Sequence, residues 1–533
     1  MTKRQIMLVL IGLMSGMFLS ALDQSVVGSA MRTIADDLKG LDLQAWATTA
    51  YLITSTISTP IYGKLGDIFG HRKLFLTAIS IFILGSVGAG LATSMYDLAA
   101  WRAIQGVGAG GLFSLSMTIL ADIIPPRERA RYQGMFLAVF GTSSVLGPLI
   151  GGLFAGADQL LWVDGWRWVF LINLPIGAAA LFMVVLFLHV PHNAKSSRID
   201  WWGAVTIIVG VVPLLLVAEQ GRDWGWDSAQ SISMYVTGVI GIAAFILVEK
   251  KMGTDALIPL HLFKNVTFSM SNVLGVIVGV GMFGGMMTLP LMLQIVYGAN
   301  PTEAGLLMLP MVAGMMTATI TSGQITSRTG KYKAFMVLGT LFMTVAFFYL
   351  GFVDYKWEIW QVSIGMVLMG MGLGQLMQTL TIAAQNAVEA QNIGVATSST
   401  TFFRQMGGTL GVAIFISMLF NALSDKGTQI GDGIKAAIMK DPTLMTLPQN
   451  AVFKDGGNLG DMISTDSSFL KTVSPELAAP IQDAFAQSSV LVFHSATWVM
   501  ALAFVLSFFV KEVELRKTSG MSQRAEQAAS AMH

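Results

Sequence analysis

Cysteine is absent from the 533 residues, and charge is scarce, with Asp, Glu, Lys and Arg making up 12% of the chain. The first absence excludes disulfides, thiol catalysis and cysteine-ligated metals. The second excludes an ordinary water-soluble domain, which carries about twice that charged fraction. No G-x-x-x-x-G-K-[ST] occurs to hold nucleotide phosphates, which argues against an ATP-driven pump. The six histidines are scattered and form no H-E-x-x-H, and no nucleophile clusters with a base. An enzyme is therefore not expected, nor a bound metal or cofactor. A net charge of +1 gives no reason to expect a nucleic-acid partner. The ten-residue alternation of a transmembrane β-barrel is also missing.

What the chain has in abundance is apolar length. Hydrophobic residues are 54% of the sequence and the mean hydropathy is +0.65. Fourteen stretches can cross a bilayer as helices: 6–27, 46–66, 74–94, 98–120, 134–156, 168–189, 202–219, 233–249, 267–292, 305–325, 334–352, 359–383, 396–420 and 489–510. The first follows Lys3 and Arg4 and superficially resembles a signal peptide, but it has no clear cleavage site and is expected to be retained. The expectation is an all-α polytopic membrane protein. The larger share of the 32 Lys and Arg falls in turns that share a side with the N-terminus, which predicts both termini in the cytoplasm.

The short turn at 63–73, GKLGDIFGHRK, packs three glycines, an acid and several basic residues between two apolar stretches. A similar turn, GQITSRTGKYK, recurs at 323–333, so that Gly63, Gly70 and Lys73 fall on Gly323, Gly330 and Lys333. Such internal duplication is a transporter plan. It predicts an N-terminal six-helix bundle at 1–190, an inserted two-helix hairpin at 191–261, a C-terminal six-helix bundle at 262–510 and a cytoplasmic tail at 511–533. The segment 421–488 interrupts the second bundle as a long outer loop, read either as a mobile connection or as a cap over the substrate path. An amphipathic pattern at 475–488 places Leu477, Ile481 and Phe485 on one side.

Several motifs together resemble the major facilitator superfamily, and more narrowly its fourteen-helix drug:proton antiporter branch. The loop motif is matched by Gly63, Leu65, Asp67, Gly70, Arg72 and Lys73. A helix-4 motif is matched by Arg102, Gln105, Gly106 and Gly108. The helix-5 antiporter motif is matched by Gly134, Gly147, Pro148, Gly151 and Gly152, with Ser143 where a glycine is usual. The helix-1 segment keeps Leu22, Asp23, Val26, Val27 and Ala30 but has Gly28 and Arg32 where the family has Asn and Pro. The resemblance implies the major facilitator fold of two six-helix bundles plus two inserted helices. It also implies proton-coupled antiport of hydrophobic or cationic drugs by alternating access, in a monomer of a bacterial inner membrane. A dedicated exporter of one endogenous metabolite, lipid or peptide on the same scaffold is the alternative.

Within that frame, Asp23 is the first candidate for proton coupling or substrate binding, because a carboxylate inside an apolar helix must pair, protonate or face a cavity. Arg102 is a coupling candidate, with Asp23 as a conceivable partner, and Arg404 is a third intramembrane charge. Asp67, Arg72 and Lys73, with Gly63 and Gly70, form a candidate conformational latch. In it Asp67 accepts from helix-end amides or from Arg127, Arg129 or Arg131. Gly147, Gly151 and Gly152 predict close backbone approach at helix 5, and Pro148 a bend. The 34 Met and 31 Phe suggest an adaptable apolar lining, with Tyr51, Met117, Phe140, Met286, Gln294, Gln375, Gln378 and Asn386 as cavity candidates. No acid lies deep in predicted helices 9–12, which leaves room for a neutral, zwitterionic or amphiphilic substrate.

Overall fold

The computed structural model describes residues 3–40, 43–157, 159–188, 198–447, 449–450, 470, 473–516 and 522. Fourteen long helices organise it: α1 (Lys3–Asp37), α2 (Gln44–Phe69), α3 (His71–Gly90), α4 (Met95–Ile123), α5 (Pro126–Ala155), α6 (Asn173–Phe187), α7 (Trp201–Trp224), α8 (Ala229–Met252), α9 (Val266–Ile295), α10 (Leu309–Thr329), α11 (Lys333–Leu350), α12 (Ile359–Asn386), α13 (Ile393–Asp425) and α14 (Pro475–Ser507). Thirteen of these helical segments are long and apolar enough to cross a membrane by length and composition alone. The exception is α2, which is diluted by Ser and Thr. It tolerates them because Thr54 Oγ1 and Thr59 Oγ1 donate to the Ala50 and Ser55 carbonyls of the same helix, each at 2.8 Å. The protein is an all-α, multi-pass membrane protein.

Local chemistry sets the helix ends. Ser94 caps α4 by accepting from the Asp97 amide, and Asn265 caps α9 by accepting from Thr267 and Phe268. The two duplicated turns close alike. Gly70 (φ 96°) ends α2 and Gly330 (φ 74°) ends α10, each donating its amide to the carbonyl four residues back. A side chain rarely adopts such a φ, which explains why glycine recurs at this position of both copies.

Helices α1–α6 share two adjoining apolar cores, one centred on Leu13, Phe75, Phe82 and Leu115, the other on Val26, Ile34 and Phe170. Helices α9–α14 share another, around Leu289, Phe347, Leu376 and Phe493. The two groups meet where α2 packs on α13 and α5 on α10. Helices α7 and α8 pair with each other and lean on the first of these seams. There Ile207, Val211 and Leu215 bury against Ile53, Ile57 and Phe402. Outward faces carry Leu84, Leu153, Phe182, Val239, Ile240 and Leu502, all exposed, as hydrocarbon contact requires.

The interruption before α14 is more ordered than a plain connection. Helix α13 runs on to Asp425, and a further helix, Gly427–Lys440, buries Ile430 and Ile434 in the same core as Leu477, Ile481 and Phe485. The amphipathic pattern at 475–488 is the first part of α14 rather than a separate element, since nothing breaks the helix at the change to fully apolar sequence. The remainder of that loop at 451–469, the seam at 191–197 and the tail from 517, apart from Ser522, lie outside the described residues.

Candidate functional site

A carboxylate buried in an apolar bundle must be satisfied internally. Asp23, on α1, is 1% exposed, and three donors converge on it. Arg102 Nη1 lies 2.5 Å from Oδ2, while Gln105 Nε2 and Asn173 Nδ2 lie 2.8 and 2.7 Å from Oδ1. Arg102 and Gln105, both on α4, share a face because they are three residues apart, and Arg102 Nη1 also donates to Gln105 Oε1 at 2.8 Å. Ser86 on α3 accepts from Gln105 and Asn173 and donates to the Phe170 carbonyl. The guanidinium lies over the Tyr51 ring at 4.1 Å, and the Tyr51 hydroxyl is 3.0 Å from Ser20 Oγ. Five helices thus meet at one ion pair. An ionised carboxylate only accepts hydrogen bonds, and each of these contacts is a donor.

The second constellation lies at the end of the bundle that carries the turn at 63–73. Asp67 reaches from α2 to the start of α13, where its Oδ1 and Oδ2 accept from the Gly394 and Val395 amides at 3.2 and 3.0 Å. These are first-turn N–H groups with no partner inside their own helix, and the helix N-terminus favours an anion. Asp67 thus caps a helix of the opposite group. His71 Nε2 lies 3.1 Å from Asp67 Oδ1, and His71 Nδ1 lies 2.6 Å from Asp122 Oδ2. Gly63 makes this approach possible, because an added Cβ would lie 2.9 Å from the Gly394 carbonyl and collide with the Ser398 side chain.

Basic residues close the same end, but on partners other than Asp67. Arg129 donates across the seam to Gln385 Oε1 and, within its own group, to the Ala121 and Ile124 carbonyls. Arg127 donates to the Ser327 and Arg328 carbonyls at the end of α10. Arg72 donates to the Val185 carbonyl of α6 at 2.7 Å, so it braces its own group, away from the seam. Lys73 follows it in the first turn of α3, and its carbonyl accepts from Thr77 Oγ1. Lys64 donates to the Thr254 carbonyl, fastening the segment after α8. The Arg131 side chain lies outside the described residues.

Helix α5 presents its glycines in two directions. At Gly147 an added Cβ would strike Ser25 of α1, and at Gly151 it would sit 2.7 Å from the Val26 carbonyl. Gly134 faces α10, with Thr319 Cγ2 3.4 Å from such a Cβ, whereas Gly152 faces open space. Pro148 lies inside α5 between the two α1 contacts. Close approach is thus found at Gly147 and Gly151 and is not needed at Gly152.

Between α1, α4, α5, α12 and α13 lies a small, partly open cavity of about 20 Å³, lined among others by Phe113, Met117, Gln133, Phe140, Gln378 and Arg404. Of the cavity residues expected from sequence, Met117, Phe140 and Gln378 line it. Tyr51 belongs to the Asp23 cluster instead, and Asn386 donates to the Val513 and Glu514 carbonyls. Gln133 and the Asp122–His71 contact were missed. Asp122, an acid inside the apolar run of α4, was the available signal. Among the described residues, no group of three His, Asp or Glu is placed to hold a metal.

Two helix groups meeting at seams that contain a cavity, with hydrogen bonds closing one end, define a secondary transporter of small molecules. Residues 13–412 match the Major Facilitator Superfamily, and the chain belongs to it. It is 34% identical to the multidrug transporter protein MdtP of Bacillus subtilis (strain 168), over 98% of this chain and 97% of that one. It is 31% identical to multidrug resistance protein 3 of the same organism, over 97% of each. The solved structure of the proton:xylose symporter XylE bound to 6-bromo-6-deoxy-D-glucose shares the fold. Its TM-score is 0.58 at 14% identity, over 99% of this chain and 100% of that one.

Proposed function

We propose that this protein is a proton-coupled antiporter that exports hydrophobic, drug-like compounds by alternating access. The carrying observation is the buried Asp23–Arg102 pair, an ionisable site held by three donors from two other helices, so that taking up a proton and moving helices are one event. In this reading Asp23 carries the proton. Arg102 returns to it when the proton leaves, and Asp67 with Gly394 and Val395 holds the cytoplasmic end shut while the other end exchanges with the outside. Gly147 and Gly151 keep α5 pressed on α1, so proton-linked movement of α1 is passed to the α5–α10 seam. End-to-end similarity to two proteins named for multidrug transport supports the cargo class.

The bundles at 1–190 and 262–510 are the two rocking halves, and the hairpin at 191–261 is an addition at one seam. A monomer with both termini in the cytoplasm, in a bacterial inner membrane, completes the reading, supported by the placement of Lys and Arg. Everted membrane vesicles containing the protein test it. Uptake of a hydrophobic dye must follow an imposed pH gradient and stop when nigericin collapses that gradient. Uptake that survives the collapse would overturn the proposal.

A further inference from the structure

The cavity gathers several polar side chains whose buried atoms have no partner. Two other buried arginines are answered by acceptors, Arg102 by Asp23 and Arg129 by Gln385 and backbone carbonyls. Arg404, on α13, is 4% exposed, yet no Asp or Glu pairs with it among the described residues, and its Nη1 is buried without a hydrogen-bond partner. The Phe113 ring lies 5.8 Å from the guanidinium carbon. Gln133, 3% exposed, and Gln378, 2% exposed, line the same cavity, and the amide nitrogen and oxygen of both are likewise buried and unpartnered. No acid lines the space. Buried polar groups are almost always satisfied, and a buried guanidinium left alone is costly. Three such side chains aimed into one cavity describe a site whose partner arrives from outside. Their chemistry is that of an anion receptor, since a guanidinium and two carboxamide NH2 groups make charge-assisted bonds to carboxylate, sulfonate or phosphate oxygens. The surrounding walls, Phe113, Phe140 and Met117, are apolar and adaptable, and must part to admit an apolar body.

We propose that this cavity is the cargo site and that it selects amphipathic anions, with one anionic head on Arg404, Gln133 and Gln378 and a hydrophobic body against Phe113, Phe140 and Met117. The proposal rests on the transporter reading and narrows its cargo, excluding lipophilic cations, which would meet the Arg404 charge with no acid to offset it. The test uses the full chain in lipid nanodiscs at pH 8 with 11-(dansylamino)undecanoate, its methyl ester and ethidium, followed by fluorescence. The acid is expected to bind at least tenfold tighter than the ester. Arg404→Gln is expected to erase that difference and Arg404→Lys to keep most of it. Equal binding of acid and ester, or a preference that survives Arg404→Gln, overturns the proposal. A second readout needs no variant: undecanoate must displace the dansyl probe from the unaltered protein while undecylamine at the same concentration does not, and displacement by both refutes it. The two readings fail differently. Binding that depends on Arg404 without gradient-driven movement would sink proton coupling alone. Gradient-driven ethidium export unchanged in Arg404→Gln would sink the anion site alone.

Discussion

Asp67→Asn gives a quantitative test of the latch. The carboxylate accepts the Gly394 and Val395 amides on separate oxygens, at 3.2 and 3.0 Å. Asparagine keeps one acceptor and turns an NH2 toward the second amide, so one bond is lost, a donor faces a donor, and the anion at the helix N-terminus is gone. Hydrogen bonds to charged groups contribute about 1.5–3 kcal/mol and an anion at a helix N-terminus about 0.3–2 kcal/mol, so the closed end should lose about 2–5 kcal/mol relative to the open one. At 1.4 kcal/mol per factor of ten, the open-to-closed ratio rises at least about 25-fold and at most about 4,000-fold. With no native cysteine, Glu128→Cys and Arg328→Cys, both exposed and on opposite sides of the α5–α10 seam, accept a dye pair without background. Single-molecule transfer in nanodiscs should then show the long-distance population growing in Asp67→Asn. An unchanged distribution, or one shifted toward the short distance, would refute the assignment of Asp67 as the closing contact.

Three further outcomes are expected. Arg102→Ala leaves the Asp23 carboxylate buried without its cation, at a cost of about 3–5 kcal/mol, and should lower the thermal midpoint in detergent. Adding Asp23→Asn should restore most of that stability but no gradient-driven transport. Gly147→Val overpacks the α1–α5 contact by about 1–3 kcal/mol, whereas Gly152→Ala, facing open space, should change stability by less than about 0.5 kcal/mol, with both read by thermal unfolding. Gln385→Ala removes the acceptor Arg129 uses across the seam, a charge-assisted bond contributing about 1.5–3 kcal/mol. It should move the dye-pair distribution in the same direction as Asp67→Asn.

Much of this arrangement is legible in the chain because a charge in an apolar run has few bland explanations. Asp23 and Arg102 stand out by sequence, and the helices bring them to 2.5 Å. Asp67 was legible from its turn, yet its partners are backbone amides some 330 positions away, which no side-chain pattern marks. Neutral polar residues were harder. Gln105 sits in a motif, but period does not reveal that it and Asn173 turn toward Ser86 and Asp23, and Gln133 resembles any other glutamine until α5 is placed against the cavity. Helix α2 reads as less apolar than the other spans because its hydroxyl groups are polar in sequence, although its own carbonyls satisfy them.

If Asp23 joins proton movement to cargo movement, its substitution separates two modes of transport. Proteoliposomes loaded with labelled cargo are assayed in two modes, uphill accumulation under an imposed pH gradient and exchange of labelled for unlabelled cargo with no gradient. Asp23→Asn is expected to abolish uphill accumulation while exchange continues, because the cavity and the latch are intact and only the proton site is gone. Uphill accumulation persisting in Asp23→Asn would contradict it.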